Sequence, residues 1–130
     1  MNATELNYTV ESEKSFDAAV EAVQAAAGAE GFRVLAVHDV GAILREKAMP
    51  REPIAIVEVC SARHASAVLA EDVTIGSLLP CKVNVYVQDG RTYLSALRPR
   101  ILAELFPGER LRAIADEVEE KVRAIVDRAR

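Results

Sequence analysis

The chain has 130 residues, of which 51% are hydrophobic and 28% charged, as in folded globular proteins rather than disordered ones. This length predicts a single domain over residues 1–130, large enough to form a core without disulfides or a structural metal. The net charge of -4, the 5% aromatic content and the lack of a basic cluster argue against nucleic acid as a partner.

The sequence carries no membrane or secretion signal. No apolar run approaches the ~20 residues that a membrane-spanning helix needs. The segment 1–5 has neither the basic start nor the apolar stretch of a secretory signal. We therefore expect a cytoplasmic protein with no membrane association. Its two cysteines, Cys60 and Cys81, are then expected to be free thiols, because the cytosol keeps thiols reduced.

The N-terminal part of the chain predicts a strand followed by a helix. Leu6, Tyr8 and Val10 alternate with polar residues, which is the period of a half-buried strand. Apolar side chains then recur at helical spacing over residues 16–27, and Ser15 is placed to cap the N-terminus of that helix.

The middle of the chain predicts two more strands and a second helix. Residues 32–40 carry apolar groups on both faces and predict a central strand, and residues 41–47 predict a short helical turn or loop. Residues 54–59 form a third predicted strand. A short helix is expected over 61–70, followed by a connection over 72–79.

The C-terminal part predicts a hairpin and a long helix. Asp89-Gly90 is a strong turn signal between strands at 82–88 and 92–97. From Glu109 one apolar stripe runs to the C-terminus, and we expect it to face the core, with a subset forming a homodimer contact if the sheet does not cover it all. The stripe consists of Leu111, Ile114, Ala115, Val118, Val122, Ile125, Val126 and Ala129.

These elements, in the order β-α-β-β-α-β-β-α, predict an α+β fold with helices on one face of an antiparallel sheet of about five strands. Residues 31–98 also carry a motif pattern. It comprises Gly31-Phe32, an apolar strand ending in Cys60, the sequence Leu78-Leu79-Pro80-Cys81, and Asp89-Gly90. This pattern is similar to the bacterial and archaeal family known as domain of unknown function 302.

The resemblance implies a small α+β domain built like one repeat of the TATA-box-binding protein, without implying DNA binding. It also implies antiparallel third and fourth strands, which would bring both cysteines to one end of the sheet. The chain departs from the family pattern at Ser61-Ala62, where Asn-Pro is usual. Ser61 can still cap the following helix, whereas Ala62 lacks the proline constraint.

Three residues are candidates for a ligand or redox site. Cys60 precedes a predicted helix N-terminus, which would favour a thiolate, although a free cysteine is more often a small buried apolar residue. Cys81 lies where it could meet Cys60 if the two strands are antiparallel. His64 lies one helical turn after Cys60, and we expect it to be half-exposed.

These observations favour a non-enzymatic domain that binds an unknown small molecule or protein in a groove near Cys60 and Cys81 and needs no cofactor. One alternative is thiol-based redox or sulfur-transfer chemistry at the two cysteines. A second alternative is metal or haem binding through Cys60, His64 and Cys81. No phosphate loop, nucleophile elbow or zinc-protease motif occurs in the sequence.

Overall fold

The structure is a computed structural model that describes residues 3–130, and side chains from Glu5 onward. It contains five strands, six α-helices and one 3-10 helix. The strands are β1 Asn7–Ser12, β2 Arg33–His38, β3 Ile54–Cys60, β4 Cys81–Gln88 and β5 Arg91–Leu97. The α-helices are α1 Ala3–Leu6, α2 Phe16–Ala29, α3 Val40–Glu46, α4 Ala62–Glu71, α5 Ile101–Leu105 and α6 Glu109–Ala129, and the 3-10 helix is Val73–Leu78.

The strands form one sheet in the order β1-β5-β4-β3-β2, and every neighbouring pair is antiparallel. The β4–β5 hairpin turns at Asp89 and Gly90, which both have positive φ, as a two-residue hairpin turn of this kind requires. The predicted α+β class and the antiparallel sheet of five strands are therefore confirmed.

The main core lies between one face of the sheet and helices α2 and α6. Alternate residues of β3, β4 and β5 supply the sheet side of this core, and the apolar faces of the two helices supply the other. A smaller cluster lies beyond one end of the sheet, among α4, the 3-10 helix, α5 and the start of α6. The cluster contains the buried residues Val68, Ile75, Leu102, Leu111 and Ala115.

The stripe of α6 faces the interior as predicted. All of its residues are buried except Ile114, which is half-buried and packs against both clusters. The stripe is thus covered within the chain, and the predicted homodimer would have to use another surface.

A buried carboxylate fixes α6 against the end of β5. Glu119 is 3% exposed, and its side chain accepts hydrogen bonds from Arg98 Nε at 3.2 Å, from Arg98 Nη2 at 3.1 Å and from the backbone N–H of Arg100 at 3.2 Å. Arg123 Nε donates to it as well, at 3.4 Å. These bonds hold the segment that connects β5 to α5 in place against α6.

The predicted position of one strand was wrong. The strand expected to be central, β2, lies at the edge of the sheet, where Leu35 is 50% exposed and Val37 40% exposed. Apolar side chains on both faces of a strand therefore did not mean burial on both faces. Residues 41–47, expected to be a short helical turn or loop, lie mostly in the short helix α3, whose N-terminus is capped by the Asp39 carboxylate accepting from the N–H of Ala42 at 2.9 Å.

The connection expected over residues 72–79 contains the 3-10 helix. Asp72 precedes it, and its carboxylate accepts hydrogen bonds from the N–H and the hydroxyl of Thr74, at 2.9 and 2.6 Å. Both bonds lower the pKa of Asp72. Among residues 3–130, no helix combines the length and apolar content needed to cross a membrane.

Candidate functional site

Both cysteines lie at the same end of the sheet, because β3 and β4 are antiparallel. Cys60 ends β3 and Cys81 begins β4, and the residue directly opposite Cys81 is Val59. Since side chains alternate between the faces of a strand, this register directs the two cysteine side chains to opposite faces. Both are free thiols. The predicted shared end is present, whereas the register does not favour a disulfide.

The Cys81 side chain is half-buried and acts as a packing group rather than as an activated nucleophile. Its side chain packs against the main core. Burial raises the pKa of Cys81 from the ordinary value of 9.0 to about 11, and the neighbouring Cys60 adds to the rise while Lys82 opposes it. A raised pKa disfavours the thiolate that redox and sulfur-transfer chemistry require.

A cavity of about 100 Å³ opens beside the two cysteines. It lies where the main core meets the smaller cluster, and its wall is built by β3, β4, β5, α4, α5, α6 and the segment between the 3-10 helix and β4, including the cis peptide bond Leu79–Pro80. Apolar side chains dominate this wall, among them Val68, Leu79, Leu97, Ile101, Leu102 and Val118.

Few polar side chains line the cavity, and they come from the start of α4 and the start of β4. Ser61, His64 and Lys82 line it together with the two cysteines. Ser61 and His64 come from the N-terminal turn of α4. An apolar enclosure with a few polar groups is the usual form of a small-molecule site.

His64 is buried rather than half-exposed, so that part of the sequence prediction was wrong. It is 8% exposed, and its ring stacks on that of Phe32 with 6.3 Å between centroids. Both ring nitrogens have partners. Nδ1 lies 2.7 Å from the hydroxyl oxygen of Ser61, and Nε2 lies 3.1 Å from a carboxylate oxygen of Glu117 on α6.

Ser61 occupies the N-cap position of α4 but makes no side-chain cap bond, contrary to expectation. Its hydroxyl is bonded to His64 instead. Glu117 receives a further bond from Arg63 Nη2 at 2.9 Å, and the bonds from His64 and then Arg63 lower the pKa of Glu117. This carboxylate is therefore ionised at neutral pH.

The third hypothesis, a metal or haem site, has no cluster of ligands to support it. Among the residues that the structure describes, no three His, Cys, Asp or Glu side chains are grouped so that they could hold a metal ion. His64 has hydrogen-bond partners at both ring nitrogens, which leaves it no unshared ligand atom.

Sequence reasoning identified Cys60, Cys81 and His64 but missed Ser61 and Glu117 as members of the site. The spacing of Ser61 and His64, three residues apart at a helix start, is that of a capping box and was an available signal. Glu117 is 53 residues from His64 in the chain, and no local pattern connects the two.

Comparison with known proteins agrees with the architecture. Residues 8–129 match the family described as a domain of unknown function, DUF302. The crystal structure of an uncharacterized conserved DUF302 protein from Bacillus stearothermophilus is similar, with a TM-score of 0.90 and 32% sequence identity over 96% of this chain and 98% of that one. No curated protein matches the chain. The chain therefore belongs to the DUF302 family.

Proposed function

We propose that this protein binds a small molecule with an apolar body and one polar end in the cavity beside Cys60 and Cys81. The observation that carries the proposal is the cavity itself, an apolar enclosure whose few polar lining side chains come from the start of α4 and the start of β4. A molecule polar at both ends would leave one polar group buried without a partner, which costs about 1–3 kcal/mol.

The cavity volume limits the size of the ligand. An engineered cavity of about 150 Å³ holds benzene, so a cavity of about 100 Å³ suits a body of roughly four carbon atoms. At about 0.8 kcal/mol per buried methylene, four carbons contribute about 3 kcal/mol, which corresponds to a Kd in the millimolar range. A larger ligand could place only its terminal part in the cavity.

Thermal unfolding in the presence of 1-butanol tests the proposal, with 1,4-butanediol as the matched probe. At about ten times the Kd, binding adds about 1.4 kcal/mol of stability, and for a domain of this size the Tm should rise by roughly 4 °C. The diol should give a smaller rise, because its second hydroxyl would enter the apolar end.

Two substitutions of alanine by leucine in helix α4 test where 1-butanol binds. Ala65 lines the cavity, and Ala65→Leu should fill it and abolish the rise in Tm. Ala70 is exposed on the same helix, and Ala70→Leu should leave the rise unchanged. Equal rises in wild type and Ala65→Leu would show that 1-butanol binds elsewhere and would overturn the proposal.

A further inference from the structure

The hydrogen bonds at the polar side of the cavity form one continuous chain from Ser61 through His64 to Glu117. The hydroxyl oxygen of Ser61 lies 2.7 Å from Nδ1, and Nε2 lies 3.1 Å from the Glu117 carboxylate. Ser61 and His64 also line the cavity, so this chain of bonds ends at the ligand site.

The donor and the acceptor of each bond can be assigned from the groups at the two ends of the chain, a carboxylate and a hydroxyl. Two groups approach Nε2: the Glu117 carboxylate at 3.1 Å and Arg63 Nη2, which can only donate, at 3.3 Å. Arg63 Nη2 makes its shorter bond, 2.9 Å, to the same carboxylate, so we assign the bond at Nε2 to Glu117. An ionised carboxylate can only accept, and Nε2 therefore carries the proton. In the neutral imidazole, Nδ1 is then an unprotonated acceptor. The Ser61 hydroxyl therefore donates its proton to Nδ1, the arrangement in which a histidine activates a serine.

We propose that Ser61 is a nucleophile for acyl transfer, with His64 as its general base and Glu117 as the residue that positions His64, and that the substrate is an ester of a short-chain acid. The inference rests on the proposed ligand cavity, which would hold the acyl chain. The roles are those of a serine-histidine-carboxylate triad with the two imidazole nitrogens exchanged.

The backbone supplies a site for the developing oxyanion. The N–H groups in the first turn of an α-helix lack partners within the helix, and in α4 the Ser61 side chain does not occupy them. Donors beside the nucleophile stabilise negative charge on the carbonyl oxygen of the transition state.

The reaction needs only an ester and water. The Ser61 oxygen bonds to the ester carbonyl carbon as its proton moves to Nδ1 of His64. The bond from that carbon to the alkoxy oxygen then breaks, and the alcohol leaves with the proton from His64. Water attacks the resulting acyl-serine in the same way, giving the carboxylic acid and restoring the Ser61 hydroxyl.

Hydrolysis of p-nitrophenyl butyrate by the full chain tests the proposal. Ser61→Ala should lower kcat/KM at least about 100-fold, because no nucleophile remains. The matched control is Ser66→Ala, which removes an exposed serine from the same helix and should have no effect. Glu117→Gln should lower kcat with KM nearly unchanged, because an amide can donate to Nε2 as well as accept from it, whereas a carboxylate only accepts and so fixes the required tautomer. Glu117→Asp keeps a carboxylate and should restore part of the loss.

A fluorophosphonate probe tests the nucleophile in the wild-type protein, where no variant has to fold. An activated serine displaces fluoride and keeps the phosphonyl group, so mass spectrometry should find the added mass on the peptide that contains Ser61. Prior binding of 1-butanol should slow the labelling.

The outcomes separate this inference from the ligand proposal. If 1-butanol raises the Tm but the protein neither hydrolyses the ester nor takes up label at Ser61, the acyl-transfer inference is wrong and the ligand proposal stands. Hydrolysis at the wild-type rate in Ser61→Ala would also overturn the inference. Labelling at Ser61 without any effect of 1-butanol would support the nucleophile and contradict the cavity proposal.

Discussion

Alkylation of Cys81 by iodoacetamide should be slow in the folded protein at pH 8. Because burial raises its pKa to about 11 from 9.0, the folded chain carries about 100 times less Cys81 thiolate than the unfolded chain well below both values. A thiolate of higher pKa is more nucleophilic, and with a Brønsted slope of about 0.45 this offsets roughly tenfold. The remaining effect is about tenfold slower alkylation, before the further slowing by steric burial.

The assay is a time course in buffer and in urea, with the Cys60 and Cys81 peptides quantified separately by mass spectrometry. The unfolded chain gives the reference rate for the same cysteine. Alkylation of folded Cys81 as fast as in urea, or faster, would refute the reasoning and would support the redox hypothesis.

The same shift predicts how stability depends on pH. A thiol whose pKa is raised on folding stabilises the protein fully below the unfolded pKa, and that stability is lost as pH rises from 9.0 toward about 11. The full loss is about 3 kcal/mol at 1.36 kcal/mol per unit. The difference in unfolding free energy between wild type and Cys81→Ala should therefore change over this window. A difference in unfolding free energy that stays constant over this pH window would contradict the raised pKa of Cys81.

Three further predictions concern helices α2 and α6. Glu119→Ala should lower the free energy of unfolding by about 3 kcal/mol in urea titrations, because it leaves the partly buried Arg98 without its buried partner. The exposed control Glu120→Ala should cost below about 0.5 kcal/mol, and equal losses in the two variants would be inconsistent with this account. Folding lowers the pKa of Glu117, so the stabilisation by its hydrogen bonds is present above the ordinary value of 4.5 and is lost as pH falls through the folded pKa. The urea midpoint of wild type should therefore exceed that of Glu117→Gln by less and less below pH 4.5, and a difference that grows there would contradict the lowered pKa. Ser15→Ala should cost about 1 kcal/mol, because the Ser15 hydroxyl accepts from the N–H of Ala18 at the start of α2, and an unchanged unfolding midpoint would dismiss the cap.

The sequence predicted the fold where periodicity and burial agree. The Asp89-Gly90 hairpin, the alternating strands and the stripe of α6 each carry a local signal that tertiary packing does not override. Strand β2 was misplaced because Leu35 and Val37 are apolar yet exposed at the sheet edge. Strand position depends on pairing between distant segments, which the periodicity of one segment does not encode.

The candidate site was predictable only in part. Family-like motifs and the antiparallel strands brought Cys60 and Cys81 to one end of the sheet, but the burial of His64 depends on Phe32 and on α6 packing over α4. The cavity likewise arises where two core clusters meet. Such a space is set by how helices pack around one another rather than by any single segment.

The most direct test of the ligand cavity is an NMR titration of the ¹⁵N-labelled protein with 1-butanol. Chemical shifts should change in a saturable manner and be largest for Ser61, His64, Leu79 and Leu102, which line the cavity. Shifts that do not saturate, or that concentrate at the exposed Leu35 and Met49, would contradict the account.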